Sequence, residues 1–551
     1  MSEETSLLQS QENQEILARR KNIQYVRRLL YLSHAFAMGS QTAWEFCLIL
    51  FLSAVTQYKS IFLVSTYGVV SNSIVTLFGG SFGIFIDKNE RLFVAQFLIF
   101  SQNICVIIST CFCLLLLGRI RNDIGMEDDA TLESNKHINN VLAGFPVDDN
   151  ISILLVVAIH IFGPVADLLS KGFLVAIEKD WVVVMSKMVV SSKMDDKNES
   201  SASLTSIKSS GEITTPEERA WLAETNVFMK QIGLSCRFLA PTITGFAIAA
   251  FGDDLQIAAF LIGILNIGGL LVEYKCTAEI YKLVPLLSIR HAQSNPSSLN
   301  KSENIDGKSN AIQDVDSEIK SIQGCEMNHA KTALSSASVM SKNAIRKKVC
   351  IPSGLETYLK QPTVYGGIAL AILYINVLSF GALMTAYLVW RKMSLVQIGL
   401  WRGISALIGL LGTSVYHCSV TKYSTEATGQ WAITLQFTCL TVCYLSLYVT
   451  NNALSLALLI GGVCTSRVGL YVFDISIVQI MQELVPDGAR GVVGGIQESM
   501  NSFFFLISFV VALFFPDPKD FSILVATGYI GVGLSMILHT FGVFLNKNLR
   551  L

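Results

Sequence analysis

Long apolar stretches separated by polar segments make up most of the chain after residue 28. A helix needs about twenty apolar residues to cross roughly 30 Å of hydrocarbon. By this length, the pattern predicts twelve transmembrane helices in two sets of six. The first set covers 29–53, 61–86, 93–117, 151–177, 225–251 and 256–284. The second set covers 363–389, 395–417, 430–450, 453–482, 491–515 and 521–545. The fifth is the weakest, because Lys230, Gln231 and Arg237 interrupt it.

The polar segments between these stretches define the predicted domains. We expect an amino-terminal tail over 1–28, an amino-terminal lobe over 29–285, an inter-lobe loop over 286–360, a carboxy-terminal lobe over 361–546 and a tail over 547–551. No short apolar core typical of a cleavable signal peptide precedes the first helix. Two segments, 182–220 and 286–350, are rich in Ser, Lys, Asn and Glu and predict largely disordered loops.

The basic residues of the polar segments predict the orientation. Lysine and arginine concentrate in cytosolic loops of membrane proteins. They cluster at Arg19, Arg20, Lys21, Arg27 and Arg28 before the first helix, at Lys88 and Arg91 after the second, and at Arg346, Lys347 and Lys348 before the seventh. Both termini and the inter-lobe loop are therefore predicted to lie in the cytosol.

Composition narrows the class of protein further. The chain has 551 residues, of which 51% are hydrophobic and 15% charged, and its net charge is -1. Its mean hydropathy is +0.50. A soluble protein could not bury so much apolar surface, and binding to nucleic acid would need a basic face. We predict an all-α polytopic protein embedded in the lipid bilayer. No nucleophile, base and orienting group fall together, so we expect neither an enzyme nor a cofactor.

A charged turn between the second and third predicted helices predicts a gate. The segment from Gly83 to Arg91 places Asp87 within reach of Lys88 and Arg91 across a tight turn. Its spacing resembles the loop signature of the major facilitator superfamily of transporters. We expect a breakable latch between two helices at the cytosolic surface; a solvated cytosolic turn is the alternative.

Three polar residues of the first predicted helix form one stripe. His34, Gln41 and Glu45 are seven and four residues apart, so they share a helix face that we expect to line a central cavity. Gln41 and Glu45 lie about 6 Å apart along the axis and could share a cation. Hydrogen bonding between helices is the alternative for this pair. His34 lies about 10 Å further toward the cytosol and needs a different partner.

The tenth and eleventh predicted helices carry the remaining polar clusters. Arg467 and Asp474 lie seven residues apart on one face, and Asp474 or Glu483 could pair with Arg490. Such pairs form either gates or static ion pairs. The eleventh helix adds Gln497 and Asn501, four residues apart, as candidate cavity residues.

With these motifs in place, the chain resembles the ferroportin family, the iron-exporting members of the major facilitator superfamily. The resemblance runs nearly from end to end and is carried by Leu30-Tyr-Leu-Ser-His34, Tyr67-Gly-Val-Val70, Ile86 through Leu92, Gln102-Asn103, Lys179-Asp-Trp181, Leu239-Ala-Pro241, Gln361-Pro362, Arg467-Val-Gly-Leu470, Phe473-Asp474, Gln482-Glu483 and Arg490 through Asn501. It implies two six-helix lobes, alternating access, residence in the plasma membrane and export of divalent iron.

The family's ligand positions differ in this chain. Gln41 and Glu45 occupy the positions of an aspartate and a histidine on the first helix. Ala382 replaces the cysteine that binds metal and the regulatory peptide hepcidin, and Ser508 replaces a histidine. The resemblance therefore implies that hepcidin does not bind. Transport, if kept, would depend on Glu45 with help from Gln41, Gln102 or Asn103, all of which offer hard oxygen ligands.

Three functions remain open at this stage. The first is a ferroportin-like exporter of divalent iron or a related divalent metal, which we expect to be a monomer. The second is a major facilitator carrying an organic solute through a cavity lined by Gln41, Gln497 and Asn501. The third is a membrane receptor or scaffold that does not transport, which the charged gate residues disfavour.

Overall fold

The computed structural model describes residues 2–55, 62–127, 150–194, 215–251, 255–289, 354–375, 395–514 and 521–550, with isolated positions between 378 and 393. Within these ranges every regular element is helical and none is a strand. The predicted all-α polytopic architecture is therefore confirmed.

The amino-terminal lobe consists of long helices. In the described ranges they are α1 (Ser2–Val55), α2 (Phe62–Lys88), α3 (Arg91–Glu127), α4 (Asn150–Leu174), α5 (Val182–Met194), α6 (Pro216–Ala250) and α7 (Leu255–Leu283). A π-helical turn, Val175–Trp181, joins α4 to α5, and a 3-10 turn, Pro285–Ser288, follows α7. The junction between α2 and α3 is short and consists of Asn89 and Glu90.

The carboxy-terminal lobe repeats this architecture with one interruption. Its described helices are α8 (Leu355–Leu359), α9 (Val364–Ile372), α10 (Leu395–Val420), α11 (Thr425–Ser446), α12 (Asn452–Leu484), α13 (Arg490–Phe514) and α14 (Phe521–Arg550). A 3-10 turn, Asp487–Ala489, connects α12 to α13. Turns at 373–375, after α9, interrupt the predicted seventh transmembrane helix. Positions 384, 387 and 388 are helical again, and most of 376–389 lies outside the described residues.

Eight of the described helices contain a stretch long and apolar enough to cross a membrane. They are Lys21–Val55, Leu63–Lys88, Arg91–Arg119, Asn150–Met188, Leu255–Leu283, Gln397–Val420, Asn452–Leu484 and Phe521–Leu545. The fifth, seventh, ninth and eleventh predicted spans are not among these eight. The fifth lies within the 35-residue helix α6. Its interruption by Lys230, Gln231 and Arg237 has a structural reason, since all three face the other lobe or the space between the lobes.

The predicted tail and loop boundaries need correction. Helix α1 begins at Ser2, so most of residues 1–28 extend the first transmembrane helix. The disordered loop predicted over 182–220 is wrong at both ends, because Val182–Met194 continues the helix and α6 begins at Pro216. Val182 to Met185 are buried apolar residues, and the polar composition of the whole segment obscured them. Residues 195–214 and 290–353 lie outside the described residues.

The lobes meet mainly where α2 packs along α13, and α6 adds contacts with α10 and α12. Glycines face each other in the first of these contacts. A Cβ on Gly79 would lie 2.9 Å from the Gly495 oxygen, and one on Gly83 would collide with the Gly491 backbone. Small residues allow helices to approach closely within a membrane. This contact covers the half of α2 that ends at Lys88, here called the Asp87 end of the bundle.

Candidate functional site

Oxygen-bearing side chains of α1, α2 and α4 form a cluster inside the amino-terminal lobe. The Gln41 Nε2 atom donates to Glu45 Oε1 at 3.0 Å and to Asp167 Oδ1 at 2.8 Å. The hydroxyls of Tyr67 and Ser71 donate to Asp167 Oδ2 at 3.1 and 2.7 Å. We call these five residues the Glu45–Asp167 cluster. Its two carboxylates converge on one amide nitrogen.

The helices explain why these side chains meet. Gln41 and Glu45 are one turn apart on α1, and Asp167 faces them from α4. Asp167 is 8% exposed and Gln41 is 9% exposed, whereas Glu45 is accessible. A carboxylate within a membrane helix is costly unless donors surround it, and Asp167 accepts three hydrogen bonds. Among the described residues, no three His, Cys, Asp or Glu side chains are grouped to hold a metal ion.

Gln102 and Asn103 have different positions. The Gln102 Nε2 atom lies 3.4 Å from Gln41 Oε1, and its own Oε1 is buried without a partner. Gln102 therefore borders the cluster. Asn103 donates to the Ile99 oxygen of its own helix at 2.8 Å, so the structure does not bring its amide nitrogen to the cluster.

A cavity of about 260 Å³ lies between the lobes. Both lobes line it, with His34, Lys171, Glu178, Lys179, Asn226, Lys230 and Arg237 from one side and Tyr374, Asp474, Gln497, Glu498 and Asn501 from the other. His34 Nε2 lies 3.2 Å from the Met229 oxygen and 4.0 Å from Glu178 Oε1. Of the predicted stripe on the first helix, His34 lines this cavity, whereas Gln41 and Glu45 are not among its lining residues. Asp474, Gln497 and Asn501 of the other predicted polar clusters do line it.

Gln497 and Asn501 are fixed to each other and to the start of the carboxy-terminal lobe. Gln497 donates to Asn501 Oδ1 at 2.9 Å and to the Gly367 oxygen at 3.0 Å, and it accepts from the Tyr358 hydroxyl at 2.7 Å. Asn501 lies 3.4 Å from Glu498 Oε1. These bonds orient the two amides on the cavity wall.

The latch predicted within the α2–α3 turn is wrong in its pairing. Asp87 does not close on Lys88 or Arg91; it accepts hydrogen bonds from the backbone nitrogens of Gly491 and Val492 at 2.8 and 2.7 Å. These nitrogens open α13, so Asp87 caps a helix of the opposite lobe. A carboxylate suits that position because the first backbone N–H groups of a helix lack partners within it. Lys88 is exposed.

Arg91 belongs to a buried cluster of four charges. It donates to Asp180 at 2.7 and 2.9 Å and to Asp487 at 2.7 Å, with 1% of its side chain exposed. Arg490 donates to Asp487 at 3.0 Å and lies 3.9 Å from Asp180. Each lobe supplies one arginine and one aspartate. We call these four residues the inter-lobe charge cluster.

The predicted Arg467–Asp474 pair is also wrong. Two helical turns separate the residues by about 10.5 Å along the axis, too far for contact on a straight helix. Arg467 instead donates to the Leu378 oxygen at 3.0 Å, and Asp474 forms an ion pair with Lys230 of α6. The proposed partner Arg490 reaches neither Asp474 nor Glu483 in any described ion pair.

Glu483 and its neighbours nevertheless link the lobes. Glu483 accepts from Gln479 at 2.8 Å and lies 3.8 Å from the Arg219 Nε atom of α6. Gln482, which precedes Glu483, accepts from Asn226 of α6 at 2.7 Å and donates to the backbone oxygen of Glu178 at 2.6 Å. The Asp87 end is therefore closed by polar contacts between the lobes.

Of the two replaced family ligands on the carboxy-terminal lobe, Ser508 is among the described residues and Ala382 is not. Ser508 is buried and donates to the Phe505 oxygen of its own helix at 2.6 Å. Ala382 lies outside the described residues.

The sequence interpretation missed Asp167, Lys171, Asp180 and Asp487 as site residues. Asp167 and Lys171 had a visible signal, because ionisable residues inside an apolar stretch are costly and mark functional sites. Their spacing of four residues also places them on one helix face. Asp487 had no comparable signal, since it lies in the turn between α12 and α13, where charged residues are common. Asp180 belongs to the Lys179-Asp-Trp181 segment that carries the resemblance, but no spacing in the sequence indicates its partner Arg91.

The chain is similar to proteins of known family over most of its length. A family model described as Ferroportin1 (FPN1) matches residues 24–216 and 213–532. Solute carrier family 40 member 2 of Arabidopsis thaliana is 30% identical over 512 residues, which cover 93% of this chain and 88% of the relative.

Solved structures share the fold. A bacterial homologue of the iron transporter ferroportin, in an outward-facing state with soaked iron, superposes with a TM-score of 0.68 at 18% identity, covering 94% of this chain and 99% of that chain. The major facilitator proton:xylose symporter XylE superposes with a TM-score of 0.52 at 12% identity and covers 95% of both chains. The predicted major facilitator fold is thereby confirmed.

Proposed function

Because the chain belongs to the ferroportin family, we propose that it is a transmembrane exporter of divalent iron that works by alternating access. The family consists of metal transporters rather than enzymes. The observation that carries the proposal is the Glu45–Asp167 cluster, in which two carboxylates and three neutral oxygen-bearing groups meet inside a membrane-spanning lobe. A divalent cation between the carboxylates would replace the amide hydrogens of Gln41.

Alternating access follows from the contacts between the lobes. In this structure, hydrogen bonds and ion pairs between the lobes close the Asp87 end. A metal entering from the cytosol requires this end to open, so these contacts must break and reform during each cycle. Their residues come from both lobes, as expected for gates between two rigid bodies.

The ligands also bear on metal selectivity. Carboxylate, amide and hydroxyl oxygens suit hard cations, whereas imidazole and thiolate favour softer transition metals. We therefore propose that the site carries divalent iron without excluding other divalent metals. Gln41 and Ser508 are weak metal ligands at the family's changed positions. Glu45 and Asp167 are therefore the two strong ligands of the proposed site.

Location and partners are further proposals. The basic clusters at 19–28 and 346–348 support cytosolic termini. Family membership supports the plasma membrane, and a cavity lined by residues from both lobes of the same chain supports a monomer.

We also propose that hepcidin does not regulate this protein, because Ala382 stands where the family's cysteine binds the peptide. The expected result is an unchanged amount of protein after hepcidin is added to expressing cells. Degradation within hours would contradict this proposal.

Transport in proteoliposomes tests the function. We compare uptake of ferrous iron, cobalt, zinc and calcium across a pH gradient by the wild type, Glu45→Gln and Asp167→Asn. Each substitution removes one of two carboxylates and should reduce iron uptake at least about tenfold, the equivalent of 1.4 kcal/mol. The control is Glu279→Gln, which changes a half-exposed glutamate near the end of α7, outside the cluster.

The outcomes separate metal transport from the other two functions. Unchanged uptake in both variants would move the metal site elsewhere. If the wild type carried no metal, an organic solute carrier or a non-transporting receptor would become the better interpretation.

A further inference from the structure

Basic side chains cluster on one outer face of the amino-terminal lobe, where α1 packs along α7. They are Lys21 and Arg28 of α1 and Lys275 and Lys282 of α7, and all four are exposed. None of them lines the cavity between the lobes. We call these four residues the α1–α7 basic face.

The packing of the two helices sets the heights of these side chains. A Cβ on Gly269 of α7 would lie 3.9 Å from the Ser40 hydroxyl of α1, which marks one point of contact. The helices are antiparallel, because the first half of α1 and the last turns of α7 both lie at the Asp87 end. Arg28 precedes Ser40 by about 18 Å along the axis, at 1.5 Å per residue. Lys282 follows Gly269 by about 20 Å and therefore reaches the same height.

The turn of each helix places Arg28 and Lys282 on the same side of the pair. Counted from the contact point at about 100° per residue, both side chains project away from the rest of the lobe. The residues before them project inward. Arg27 donates to a glutamate of α6 at 2.7 Å, and the Tyr281 hydroxyl donates to the α2–α3 junction at 2.9 Å. The outward side is the one that faces lipid.

Lys21 and Lys275 extend this face in opposite directions. Each lies seven residues from its basic neighbour on the same helix, which is about 10 Å along the axis and nearly the same side. Lys275 is the deeper one and lies inside the apolar stretch Leu255–Leu283. The exposed side chains of Leu32 and Leu271 lie near it on this face. An ammonium group among lipid chains is costly, so it extends toward the headgroup layer, where phosphate oxygens can pair with it.

Carboxylates of the protein do not balance this charge. Residues 21–40 and 269–289 contain two acids, of which Glu273 is buried and Glu279 lies 4.0 Å from the Lys282 Nζ atom. Within the described part of the chain, the other three members of the face have no carboxylate at ion-pair distance. Four basic groups against one acid leave three positive charges facing the lipid.

We propose that the α1–α7 basic face binds an acidic phospholipid from the leaflet at the Asp87 end. The glycerol phosphate of the lipid pairs with Lys275, and its charged headgroup lies between Arg28 and Lys282. Ammonium and guanidinium groups are the usual partners of phosphate in proteins. On the orientation proposed above, this leaflet is the cytosolic one, which carries the acidic lipids of a cell membrane. The inference goes beyond the export function and does not depend on it.

Binding of this lipid has a consequence for stability. The lipid would bridge α1 and α7 through charges that neither helix supplies to the other. A ligand that binds only the folded protein stabilises it. An acidic lipid should therefore raise the thermal unfolding temperature, and a zwitterionic lipid should raise it less.

Native mass spectrometry of the full chain in detergent tests the binding. Wild-type protein is titrated with phosphatidylcholine, phosphatidylserine or a phosphatidylinositol bisphosphate, and the dissociation constant of each lipid is measured. We expect the bisphosphate to bind at least about tenfold more tightly than phosphatidylcholine, with phosphatidylserine between them. This comparison needs no variant. Equal affinity for the three lipids would overturn the proposal.

Variants then assign the lipid to this face. The double variant Lys275→Gln/Lys282→Gln should bind the bisphosphate about 25-fold more weakly, at about fivefold for each lysine. The matched control is Lys360→Gln/Lys422→Gln, which removes two exposed lysines of the other lobe at the same end of the bundle. Its affinity should equal that of the wild type.

The two double variants decide where the lipid binds. Weaker binding in Lys275→Gln/Lys282→Gln with an unchanged control supports the α1–α7 basic face. Equal weakening in both would overturn it, because the preference would then reflect the overall charge of this end. Thermal unfolding gives a second measurement on the same samples. If the bisphosphate raised the unfolding temperature of Lys275→Gln/Lys282→Gln as much as that of the wild type, the lipid would bind elsewhere and the proposal would be wrong.

Discussion

Asp87 stabilises a helix of the lobe opposite its own. Both carboxylate oxygens accept backbone hydrogen bonds, from Gly491 and Val492, the first residues after Arg490 at the start of α13. Only an ionised carboxylate provides two acceptors and a negative charge at that helix terminus.

Replacing this carboxylate gives a prediction at the scale of one residue. Asp87→Asn removes the charge and one acceptor, and we expect the first turn of α13 to lose about 1–2 kcal/mol of local stability. Hydrogen exchange of the Gly491 and Val492 amides should then accelerate about 5- to 30-fold. Lys88→Gln is the control, since Lys88 is exposed beside Asp87. Equal exchange in wild type and Asp87→Asn would exclude the capping role.

Helical spacing was enough to group Gln41 with Glu45, because four residues on one helix return to the same face. It was not enough to find their partner. Asp167 lies on another helix, and no local pattern specifies which helices pack together. The same limit explains the wrong pairing of Asp87 with Arg91, since sequence proximity favoured a contact that tertiary packing replaced.

At the scale of elements, hydropathy placed the membrane helices because apolar length determines whether a helix can span lipid. It could not show the break after α9, since 363–389 is apolar throughout. Backbone groups freed by such a break need partners within the membrane. The Arg467 side chain supplies one to the Leu378 oxygen, which gives this buried arginine a structural role.

The contact between α2 and α13 predicts how these helices tolerate a methyl group. In Gly83→Ala the new Cβ would collide with backbone atoms of Gly491, and the helices must separate. We expect a loss of about 1–3 kcal/mol, typical of overpacking, measured as a lower thermal unfolding temperature and slower iron uptake. Gly68→Ala is the matched control on the same helix, because no atom lies within 4 Å of its Cβ position. Equal losses in both variants would show that close packing at Gly83 is not the cause.

At the scale of the whole molecule, the inter-lobe charge cluster lowers the free energy needed to separate the two lobes. Arg91 and Asp180 belong to the amino-terminal lobe, and Asp487 and Arg490 belong to the carboxy-terminal lobe. When the lobes separate, each arginine keeps an aspartate of its own lobe. Breaking a buried ion pair is costly mainly when it leaves a charge without a partner, and this arrangement avoids that state.

Asp487→Asn tests this view of the gate. The variant loses the 2.7 Å contact with Arg91 that joins the lobes, while Arg91 retains Asp180. Losing one charge-assisted hydrogen bond between the lobes should favour the form open at the Asp87 end by at most about 1.5–3 kcal/mol, because Arg490 then opens without an aspartate of its own lobe. We expect faster hydrogen exchange on both sides of the interface, in residues 85–95 and 487–494, with the distant helix α14 unchanged. Glu356→Gln, an exposed acid of the same lobe, should leave both segments as in the wild type. Acceleration confined to 487–494 would mean that the cluster stabilises only its own turn, and the lobes would then be held together chiefly by the packing of α2 against α13.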